Sequence, residues 1–512
     1  MMKGDPMNKK FNIVILTVVI LIICLGGVLF LVLRKSGQFQ RNINVILISV
    51  DAARADRLSC YGYPISLTPN IDRLASEGVI FRQAYCFGGS TTSSMGVIFT
   101  SRFPYWPLKV PGGGPRWAVK HHFGYSRFQD IKHLKAGIPD SLETMSSIFK
   151  SNGYTTVGIS TNPYLTRDFN FNRGFDFFEE FSSNWRQLYP GVETVFRKME
   201  AYLAELNHKK FFIWIHLMDL HHPLRDFEPF LEDVKLKGNH PKMEVPPMSE
   251  WTQEAVNILK GFASQHIPNW QPGEEGLQQA LDYYIRAYEA ELLRVDKQIG
   301  LLIDKLDKEG LRENTLLILV NDHGEEFAEH RYWDHRGQLY QAIVRAIWIM
   351  HCPQLFSQAI EVKQPVSEAD LLPTLIDLLG LKGKNLAFDG QSCLGLLKGK
   401  SEEKGRIVFG LLDRRAYIID GDYKLMINGD YGKKVRGANP DPPFWPVELY
   451  NLKEDPGELH NLAQEYPQIV DRLTIKLKQA FLEKGIRLWQ EDASKEISQE
   501  TKQRLKSLGY IK

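Results

Sequence analysis

The chain has 512 residues, of which 43% are hydrophobic and 24% charged, an ordinary globular composition. With 63 Lys and Arg against 61 Asp and Glu, the net charge of +2 lacks the basic excess of a nucleic-acid binder, so we expect no nucleic-acid partner. Five cysteines are too few for a disulfide framework, and the length allows a large buried core.

The first predicted element is the uncharged apolar run at residues 11–33. A helix rises about 1.5 Å per residue, so this run is long enough to cross a bilayer hydrocarbon core of about 30 Å. Because no small-residue cleavage site follows it, we predict a membrane helix between a tail (1–10) and a short linker (34–42). A cleaved signal peptide is the alternative. Lys and Arg flank the run on both sides, so charge does not set its orientation.

Alternating strands and helices follow in chain order. The continuous apolar, β-branched run at 43–50 is typical of a strand buried on both faces of a parallel sheet. A capping Thr68, with Pro69 in the first turn, then opens a predicted helix that ends before Gly78. Further elements are predicted strands at 79–81, 154–160, 211–216 and 315–320, and predicted helices at 141–151, 192–206 and 277–306. This alternation predicts an open α/β sheet with helices on both faces.

The last part of the chain has a different pattern. Residues 406–429 predict antiparallel strands with a turn at 420–422, and residues 467–484 predict a helix. We therefore predict a catalytic domain at 43–395 and a small C-terminal α+β subdomain with a tail at 396–512. Two stretches, 106–138 and 224–276, are predicted to be surface insertions near the substrate.

Acidic and imidazole side chains follow three of the predicted strands. They are Asp51 after the first strand, Asp322 and His323 after 315–320, and His216, Asp219, His221 and His222 at the end of 211–216. Ligands of open α/β sheets collect beyond the carboxyl ends of the strands, and acids and imidazoles converging there indicate a metal site. Each residue alone is also explained as a helix cap, a turn residue or a structural histidine.

Long ordered segments resemble the sulfatases and their relatives in the alkaline phosphatase superfamily. These segments include NVILISVDAARADRLSCYGYP, LTPNIDRLASEGVIFRQAYC, NDHGEEFAEH with WDHRGQLY, and VELYNLKEDPGELHNLA, and the resemblance runs from about residue 42 to the end. It implies an alkaline-phosphatase/sulfatase-like α/β fold: a central, mostly parallel sheet flanked by helices, with a small C-terminal α+β subdomain. It also implies an extracytoplasmic catalytic domain, so we expect a single-pass membrane protein with an N-terminal anchor.

The nucleophile segment departs from the sulfatase pattern, which is Cys-x-Pro-Ser-Arg with Thr-Gly nine residues after the cysteine. Matching Thr100 and the following serine to that Thr-Gly places Thr91 at the nucleophile position and Met95 at the arginine. Cys86 lies five residues too early. Threonine cannot become the formylglycine of sulfatases, so the segment is similar to phosphodiesterase and phosphoethanolamine- or phosphoglycerol-transferase relatives. A shift of one residue would select Ser90 or Thr92, and a plain capping role for the threonine is the structural alternative.

The resemblance implies that Asp51, Thr91, Asp322 and His323 bind one divalent metal ion. Sulfatases commonly have a second Asp where this chain has Ala52, and an Asn where it has His323, which is an arrangement of hard oxygens that suits Ca²⁺. Both replacements favour Zn²⁺ or Mn²⁺, with Ca²⁺ and Mg²⁺ as alternatives.

His221 and His335 match family positions that contact the substrate oxyanion or the leaving group. We assign both as catalytic, because a histidine there can donate to phosphate and protonate the leaving oxygen. His222 and His330 are close competitors. Arg54 and His222 are predicted to bind the substrate. An equal alternative for Arg54 is that it and Asp56 stabilise the first turn after the strand.

The sequence therefore predicts a membrane-anchored, sulfatase-family, metal-dependent hydrolase of phosphate or sulfate esters, with a phosphoester cleaved through a covalent phospho-threonine favoured. The alternatives are a phosphoethanolamine- or phosphoglycerol-type transferase to an envelope lipid or glycan, a sulfatase without formylglycine, and an inactive binder of an anionic glycan. A second metal, held for example by Asp219, His221 and His335, stays open. The expected partners are an anionic ester (a glycan, lipid headgroup or small molecule) and the membrane; the sequence does not predict an oligomeric state.

Overall fold

A computed structural model describes residues 42–104, 137–181, 190–206, 208–238, 240–335, 338–384, 386–400, 406–412, 415–428 and 447–483. The predicted anchor at 11–33, its tail and most of its linker lie outside the described residues, as does the predicted insertion up to residue 136. Among the described residues, no helix is long and apolar enough to span a bilayer. The chain divides into two compact units, Met1–Ile43 and Asn44–Lys512, and the second contains every element named below.

The strands and helices follow one another along the second unit. The strands are β1 (Asn44–Val50), β2 (Val79–Phe81), β3 (Ala84–Tyr85), β4 (Thr155–Ser160), β5 (Phe177–Glu180), β6 (Phe211–Leu217), β7 (Thr315–Asn321), β8 (Glu326–Phe327), β9 (Trp333–Asp334), β10 (Arg345–Ala346), β11 (Trp348–His351), β12 (Ile360–Val362), β13 (Val366–Ser367), β14 (Ile407–Leu412), β15 (Arg415–Asp420), β16 (Tyr423–Asn428) and β17 (Val447–Asn451). The helices are α1 (Pro69–Glu77), α2 (Thr91–Thr100), α3 (Met145–Ser151), α4 (Val192–Leu206), α5 (Leu231–Leu236), α6 (Gln253–His266), α7 (Glu274–Lys308), α8 (Gln341–Val344), α9 (Leu371–Leu379), α10 (Leu394–Leu397) and α11 (Pro467–Glu483).

The central sheet has the strand order β12-β2-β11-β7-β1-β6-β4-β5. β1 pairs in parallel with β6 on one side and β7 on the other, and β11 runs antiparallel to both of its neighbours. β1, β6 and β7 are buried along their whole length, as their continuous apolar sequences predict. The prediction of a mostly parallel central sheet is therefore confirmed.

Alternate side chains of β6 point into two different cores. Ile213 and Ile215 belong to a large cluster with side chains of α4, α6 and α7. Phe212 stacks on Phe149 of α3, with ring centroids 4.3 Å apart, and Trp214 meets Phe99 of α2 edge-on at 4.7 Å. Because successive strand residues face opposite sides, helices cover both faces of this sheet.

The start of α1 differs from the sequence interpretation. Thr68 occupies the N-cap position, but its hydroxyl donates to Asp72 at 3.4 Å and caps no backbone group. Instead, the Asp296 carboxylate of α7 accepts from the backbone N–H groups of Asn70 (3.0 Å) and Ile71 (2.8 Å). A carboxylate from a distant helix therefore satisfies the unpaired donors that a local cap would otherwise satisfy.

The C-terminal part contains an antiparallel sheet in the order β14-β15-β16-β17, with α11 packed against it. The predicted turn at 420–422 joins β15 to β16. Phe87 and Val97, from either end of the nucleophile segment, share a core with this sheet and α11. The boundary at 395/396 stays a prediction.

The segment at 224–276 is more than the surface insertion that its composition predicts. It contains α5 and α6, and it buries Trp251, Leu259 and Phe262 in the core cluster that includes α7. The backbone N–H of Thr252 also donates to the carbonyl of Arg331 at 2.9 Å. The segment therefore supports the loop between β8 and β9.

Candidate active site and metal centre

The ends of β1 and β7 position the first two site residues. The parallel register pairs Val50 with Asn321, so the next residues, Asp51 and Asp322, leave the sheet side by side. Thr91 is the first residue of α2 and reaches the same point from another direction. Strand register and helix start together bring distant parts of the sequence to one edge of the sheet.

The four predicted metal ligands converge in this structure. The Thr91 hydroxyl lies 3.5 Å from Asp51 Oδ2 and 3.3 Å from His323 Nε2. His323 Nε2 lies 3.5 Å from Asp322 Oδ2 and 3.7 Å from Asp51 Oδ1. Ligand atoms that surround Zn²⁺ tetrahedrally at 2.0–2.1 Å are about 3.3 Å apart, so these separations fit a single small cation.

The hydrogen bonding of the cluster also leaves donor atoms for a cation. Asp51 Oδ1 and Asp322 Oδ2 are buried and have no hydrogen-bond partner. His323 Nδ1 faces the carbonyl of Gly324 at 2.9 Å, which fixes the proton on Nδ1 and turns the Nε2 lone pair toward the carboxylates. Unpaired buried carboxylate oxygens are costly unless a cation lies between them. These residues therefore fit a divalent metal ion.

The electrostatics of the cluster agree with this reading. Burial and the nearby His335 lower the pKa of His323 to about 3, so its imidazole is neutral, as a ligand must be. Burial and the Asp51 carboxylate raise the pKa of Asp322 well above its ordinary value. Burial also opposes ionisation of Asp51, but His221 and other histidines hold the pKa of Asp51 below its usual range. Without a cation, ionisation of both carboxylates at once is therefore unfavourable.

Two further residues support Asp51: Asn162 is absent from the sequence prediction, and His216 is one of its strand-end residues without an assigned role. Asn162 Nδ2 donates to Asp51 Oδ2 at 2.7 Å, and His216 Nε2 lies 3.2 Å from the same oxygen. His216 Nδ1 in turn lies 2.8 Å from the Ser49 hydroxyl. His216, Asp51 and Asp322 form a buried group with donor atoms close enough to hold a metal ion. Asn162 closely follows a fourth buried strand, β4, and its position at that strand end was the available signal.

A second buried group surrounds His335. Its Nδ1 lies 2.6 Å from Asp334 Oδ1 and 3.3 Å from Glu325 Oε1. Burial opposes the charged imidazole, but the Asp334 and Glu325 carboxylates raise the pKa of His335 well above its ordinary value. The His335 ring centroid is 4.1 Å from that of His323. An imidazolium therefore stands directly beside the metal-ligand cluster.

His221 completes the group of histidines. Its ring centroid lies 5.2 Å from that of His335, and its Nδ1 lies 2.5 Å from the carbonyl of His222. Burial lowers the pKa of His221, so this imidazole is neutral. His335 is therefore suited to donate a proton, and the neighbouring His221 is suited to accept one.

The other hydroxyl and thiol candidates are placed differently. Ser90 is the N-cap residue of α2, whereas the hydroxyl in contact with the cluster belongs to Thr91. Cys86 Sγ faces the carbonyls of Gly88 (3.4 Å) and Ile343 (3.6 Å), and burial raises the pKa of the Cys86 thiol well above its ordinary value. The structure therefore brings Thr91, and not Cys86, to the ligand cluster.

Arg54 is not brought into the cluster as a substrate-binding residue. Its Nη2 lies 2.7 Å from Asp56 Oδ2, while Nη1 pairs with Glu329 and donates to the carbonyl of Glu325 at 3.1 Å. Its guanidinium also lies over the Phe327 ring, 4.7 Å from the centroid. These partners hold Arg54 in the wall behind the site, and its role toward substrate stays a prediction.

Asp219 and His222 also lie apart from the ligand cluster. Asp219 Oδ1 accepts from the backbone N–H of Val192 at 2.8 Å and lies 3.4 Å from Arg294. This placement does not join Asp219 to the metal-ligand groups of the described residues. His222 is half-buried beside Tyr284, with Nδ1 3.5 Å from the phenol oxygen.

Comparisons with known proteins match this sequence and this fold. The sequence profile of the Sulfatase family matches residues 43–381. The uncharacterized sulfatase YidJ of Escherichia coli (strain K12) is 26% identical over 471 residues, which cover 82% of this chain and 83% of that protein. The Delta 4,5-hexuronate-2-O-sulfatase of Bacteroides thetaiotaomicron is 24% identical over 462 residues, covering 84% of this chain and 86% of that protein.

Solved structures share the fold at lower sequence identity. The structure of BT4656 with its substrate D-glucosamine-2-N,6-O-disulfate matches with a TM-score of 0.65 and 17% identity, covering 86% of this chain and 98% of that one. The phosphonate monoester hydrolase of Agrobacterium radiobacter matches with a TM-score of 0.62 and 18% identity, covering 86% of this chain and 96% of that one.

Proposed function

The chain belongs to the sulfatase family and is a hydrolase that acts on ester bonds, and we propose that it is a metal-dependent phosphoesterase with Thr91 as its nucleophile. The observation that carries this proposal is the position of the Thr91 hydroxyl, 3.5 Å from Asp51 Oδ2 and 3.3 Å from His323 Nε2. The residue at this position is a threonine, which cannot supply the formylglycine of a sulfatase.

Asp51, Thr91, Asp322 and His323 would hold the metal ion. When bound there, a divalent cation supplies Lewis-acid activation of the threonine hydroxyl and balances the charge of the two carboxylates. The donor set of one imidazole nitrogen and several oxygens favours Zn²⁺ or Mn²⁺ over Ca²⁺.

In the first half-reaction, the Thr91 hydroxyl releases its proton to water, its oxygen attacks phosphorus, and the bond from phosphorus to the leaving oxygen breaks. His335, an imidazolium because Asp334 and Glu325 raise its pKa, donates a proton to the leaving oxygen. The backbone N–H groups at the start of the buried helix α2 face the developing negative charge. The product of this step is a phospho-threonine at position 91.

In the second half-reaction, water attacks the same phosphorus and the bond to the Thr91 oxygen breaks. His221 takes the proton of the attacking water, a role that its lowered pKa and neutral imidazole suit. The departing Thr91 oxygen takes a proton back from water, which restores the hydroxyl. His221 then releases its proton to solvent and His335 regains one, so both histidines return to their starting states. The two histidines thus divide the acid and base roles.

The charge of the site favours a monoanionic phosphodiester as substrate. Among the described residues, the His335 imidazolium is the cationic side chain beside the ligand cluster, because Arg54 is paired with Asp56 and Glu329. Met95, which stands where sulfatases have an arginine, is buried in α2. A diester carries less negative charge than a phosphate monoester dianion and needs fewer cations. Phosphonate monoester hydrolases, which share this fold, also act on a monoanionic ester.

The deciding experiment compares the full-length wild type with Thr91→Ala and, as a matched control, Thr92→Ala. Each is assayed on an aryl phosphodiester, an aryl phosphate and an aryl sulfate, alongside metal analysis. We expect diester cleavage with bound Zn²⁺ or Mn²⁺, a loss of about 10³-fold or more in Thr91→Ala, and little change in Thr92→Ala. Mass spectrometry of quenched enzyme should find the phosphoryl group on Thr91. Sulfate cleavage that survives Thr91→Ala would contradict the proposal.

A transferase to a lipid or glycan hydroxyl is the second candidate, because the predicted anchor at 11–33 ends only a short linker before β1. The first half-reaction would be the same, and an alcohol would replace water in the second. Adding glycerol to the diester assay separates the two: a phosphoglycerol product in place of free phosphate ester would favour the transferase.

A further inference from the structure

The hairpin that carries His335 has an unusual backbone. β8 and β9 pair through Glu326 with Asp334, and three residues of this region have left-handed φ values: Ala328 (72°), Arg331 (74°) and Asp334 (69°). Residues with a Cβ rarely adopt this conformation, and they keep it only where surrounding contacts hold them. The hairpin therefore depends on contacts from outside itself.

His330, near the tip of this hairpin, makes such contacts with both of its ring nitrogens. Nδ1 lies 2.9 Å from Glu326 Oε1, and Nε2 lies 3.1 Å from the Gly457 carbonyl and 3.2 Å from the Glu458 carbonyl. The ring also stacks on Tyr340, with centroids 3.6 Å apart and planes 6° apart. Because each nitrogen faces only oxygen acceptors in these contacts, both nitrogens donate.

The segment that accepts from His330 is itself firmly held. Glu458 Oε1 pairs with Lys424 Nζ of β16 at 2.7 Å, and both side chains are completely buried. Glu458 Oε2 accepts from the backbone N–H of Gln341, the first residue of α8, at 2.5 Å. His330 therefore connects the hairpin to a fixed point on the C-terminal sheet, and not to a mobile loop.

The connection leads directly to the acid of the proposed reaction. Glu326, which His330 contacts, is the strand partner of Asp334, and its chain neighbour is Glu325. Asp334 and Glu325 are the two carboxylates that hold His335 Nδ1. A displacement of Glu326 would therefore move both groups that orient the His335 imidazole.

We propose that His330 is a positioning residue, which ties the β8–β9 hairpin to the C-terminal segment and thereby fixes the direction in which His335 delivers its proton. This inference rests on the proposed function, in which His335 protonates the leaving oxygen. The C-terminal sheet would then affect catalysis indirectly. Among the described residues, none of its side chains belongs to the metal-ligand groups.

The first test needs no activity. The full-length His330→Gln variant and a matched control, His351→Gln, a buried histidine in β11 of the central sheet, are compared with wild type by amide hydrogen exchange. We expect faster exchange at residues 326–335 in His330→Gln, with β1 and β7 unchanged, and no such change in the control. Unchanged exchange at 326–335 would show that His330 does not hold the hairpin to the C-terminal segment. If His330→Gln does not fold, Tyr340→Leu, which removes the stacking partner, is the second variant.

The second test separates positioning from simple loss of folded protein. Across aryl phosphodiesters, kcat/KM of His330→Gln should fall about tenfold more for a phenol leaving group than for a nitrophenol, because only the poor leaving group needs the acid. His335→Asn should show the same pattern more strongly. An equal loss for all leaving groups would overturn the inference. A wild type inactive on every ester would instead refute the proposed function. The hydrogen-exchange experiment alone would then test whether His330 connects the β8–β9 hairpin to the C-terminal segment.

Discussion

At the scale of single residues, Asp51 depends on groups that never touch the substrate. Asn162 and His216 fix the carboxylate by contacts of 2.7 and 3.2 Å to Oδ2, which leaves Oδ1 without a hydrogen-bond partner and turned toward His323. Groups that orient a metal ligand in this way usually contribute to metal affinity nearly as much as a weak ligand does.

We therefore predict that Asn162→Ala lowers metal affinity by about 10- to 100-fold while the protein still folds. The measurement is competition for Zn²⁺ or Mn²⁺ against a chromophoric chelator. Asn152→Ala, at the C-terminal end of α3, is the matched control. Among the described residues, the Asn152 side chain donates to the carbonyls of Ile148 and Lys382 and to the Ser151 hydroxyl, none of which belongs to the ligand cluster. Equal affinity in wild type and Asn162→Ala would mean that Asp51 needs no such support.

The two catalytic histidines also predict a pH profile. Burial lowers the pKa of His221, so the base is lost only as the pH falls below the ordinary histidine range. Asp334 and Glu325 raise the pKa of His335, so the acid is lost only as the pH rises well above that range. We expect kcat/KM for an aryl phosphodiester to stay level across neutral pH and to fall on both sides.

His335→Asn should lose the alkaline decline of this profile, because no imidazolium remains to titrate, and its rate should be lower throughout. His221→Asn should lose the acidic decline in the same way. A profile that peaks sharply near pH 6.5 in wild type would contradict these assignments, since it would require two histidines with ordinary pKa values.

At the scale of elements, the sequence predicted correctly the features that depend on local pattern and missed those that depend on distant contacts. β2 and α4 have the predicted bounds, because an apolar run and a helical period are local properties. The cap of α1 was wrong, because the capping carboxylate, Asp296, lies on α7. The support from Asn162 was missed for the same reason, since only the fold brings β4 beside Asp51.

Of the site itself, the predicted strand ends supplied Asp51, Asp322, His323 and His221 as candidates, and the resemblance to a family added Thr91 and His335. Their convergence is visible only in three dimensions. The strand ends alone identify Asp51 and Asp322 as neighbours, because parallel strands end at one edge. The pairing of Arg54 with Asp56, two residues away, agrees with the structural alternative that the sequence offered. Nothing local indicates that Arg54 also pairs with Glu329, or that Asp219 lies beside Arg294.

The packing of β14 against Phe87 suggests that the C-terminal sheet affects the segment that leads to Thr91. A Cβ added to Gly410 would lie 2.1 Å from the Phe87 carbonyl oxygen and 2.3 Å from the Tyr417 ring, while the Leu411 N–H donates to the same carbonyl at 2.9 Å. We predict that Gly410→Ala lowers the free energy of unfolding by about 1–3 kcal/mol and lowers kcat, because the segment leading to Thr91 must shift.

The measurement is denaturant unfolding together with diester kinetics. Gly261→Ala is the matched control: this glycine lies inside α6, a Cβ there meets nothing within 4 Å, and alanine should stabilise the helix by about 0.5–1 kcal/mol. A Gly410→Ala protein as stable and active as wild type would mean that β14 accommodates the added methyl group without moving the segment that leads to Thr91.

At the scale of the whole molecule, the residues with a proposed chemical role all belong to the unit Asn44–Lys512. Its central sheet supplies the metal ligands, and its C-terminal sheet shares a core with Phe87 and Val97 on either side of Thr91. The preceding residues contribute only the apolar run at 11–33, to which we assign a membrane anchor. Anchoring and chemistry should therefore be separable.

We predict that the full-length chain sediments with membranes, and that a chain lacking residues 1–41 is released with unchanged kcat/KM on a soluble aryl phosphodiester. Membrane insertion of the full chain should also fail in Val19→Arg, since an arginine at the centre of a membrane helix costs about 2.5–3.5 kcal/mol. Fractionation followed by assay of each fraction is the measurement. If the released chain kept its activity on soluble diesters but lost activity on esters embedded in vesicles, the membrane would supply the substrate and the anchor would serve to hold the site beside it. If the full-length chain stayed out of the membrane fraction, the anchor would be refuted and a free anionic ester would be the substrate to pursue.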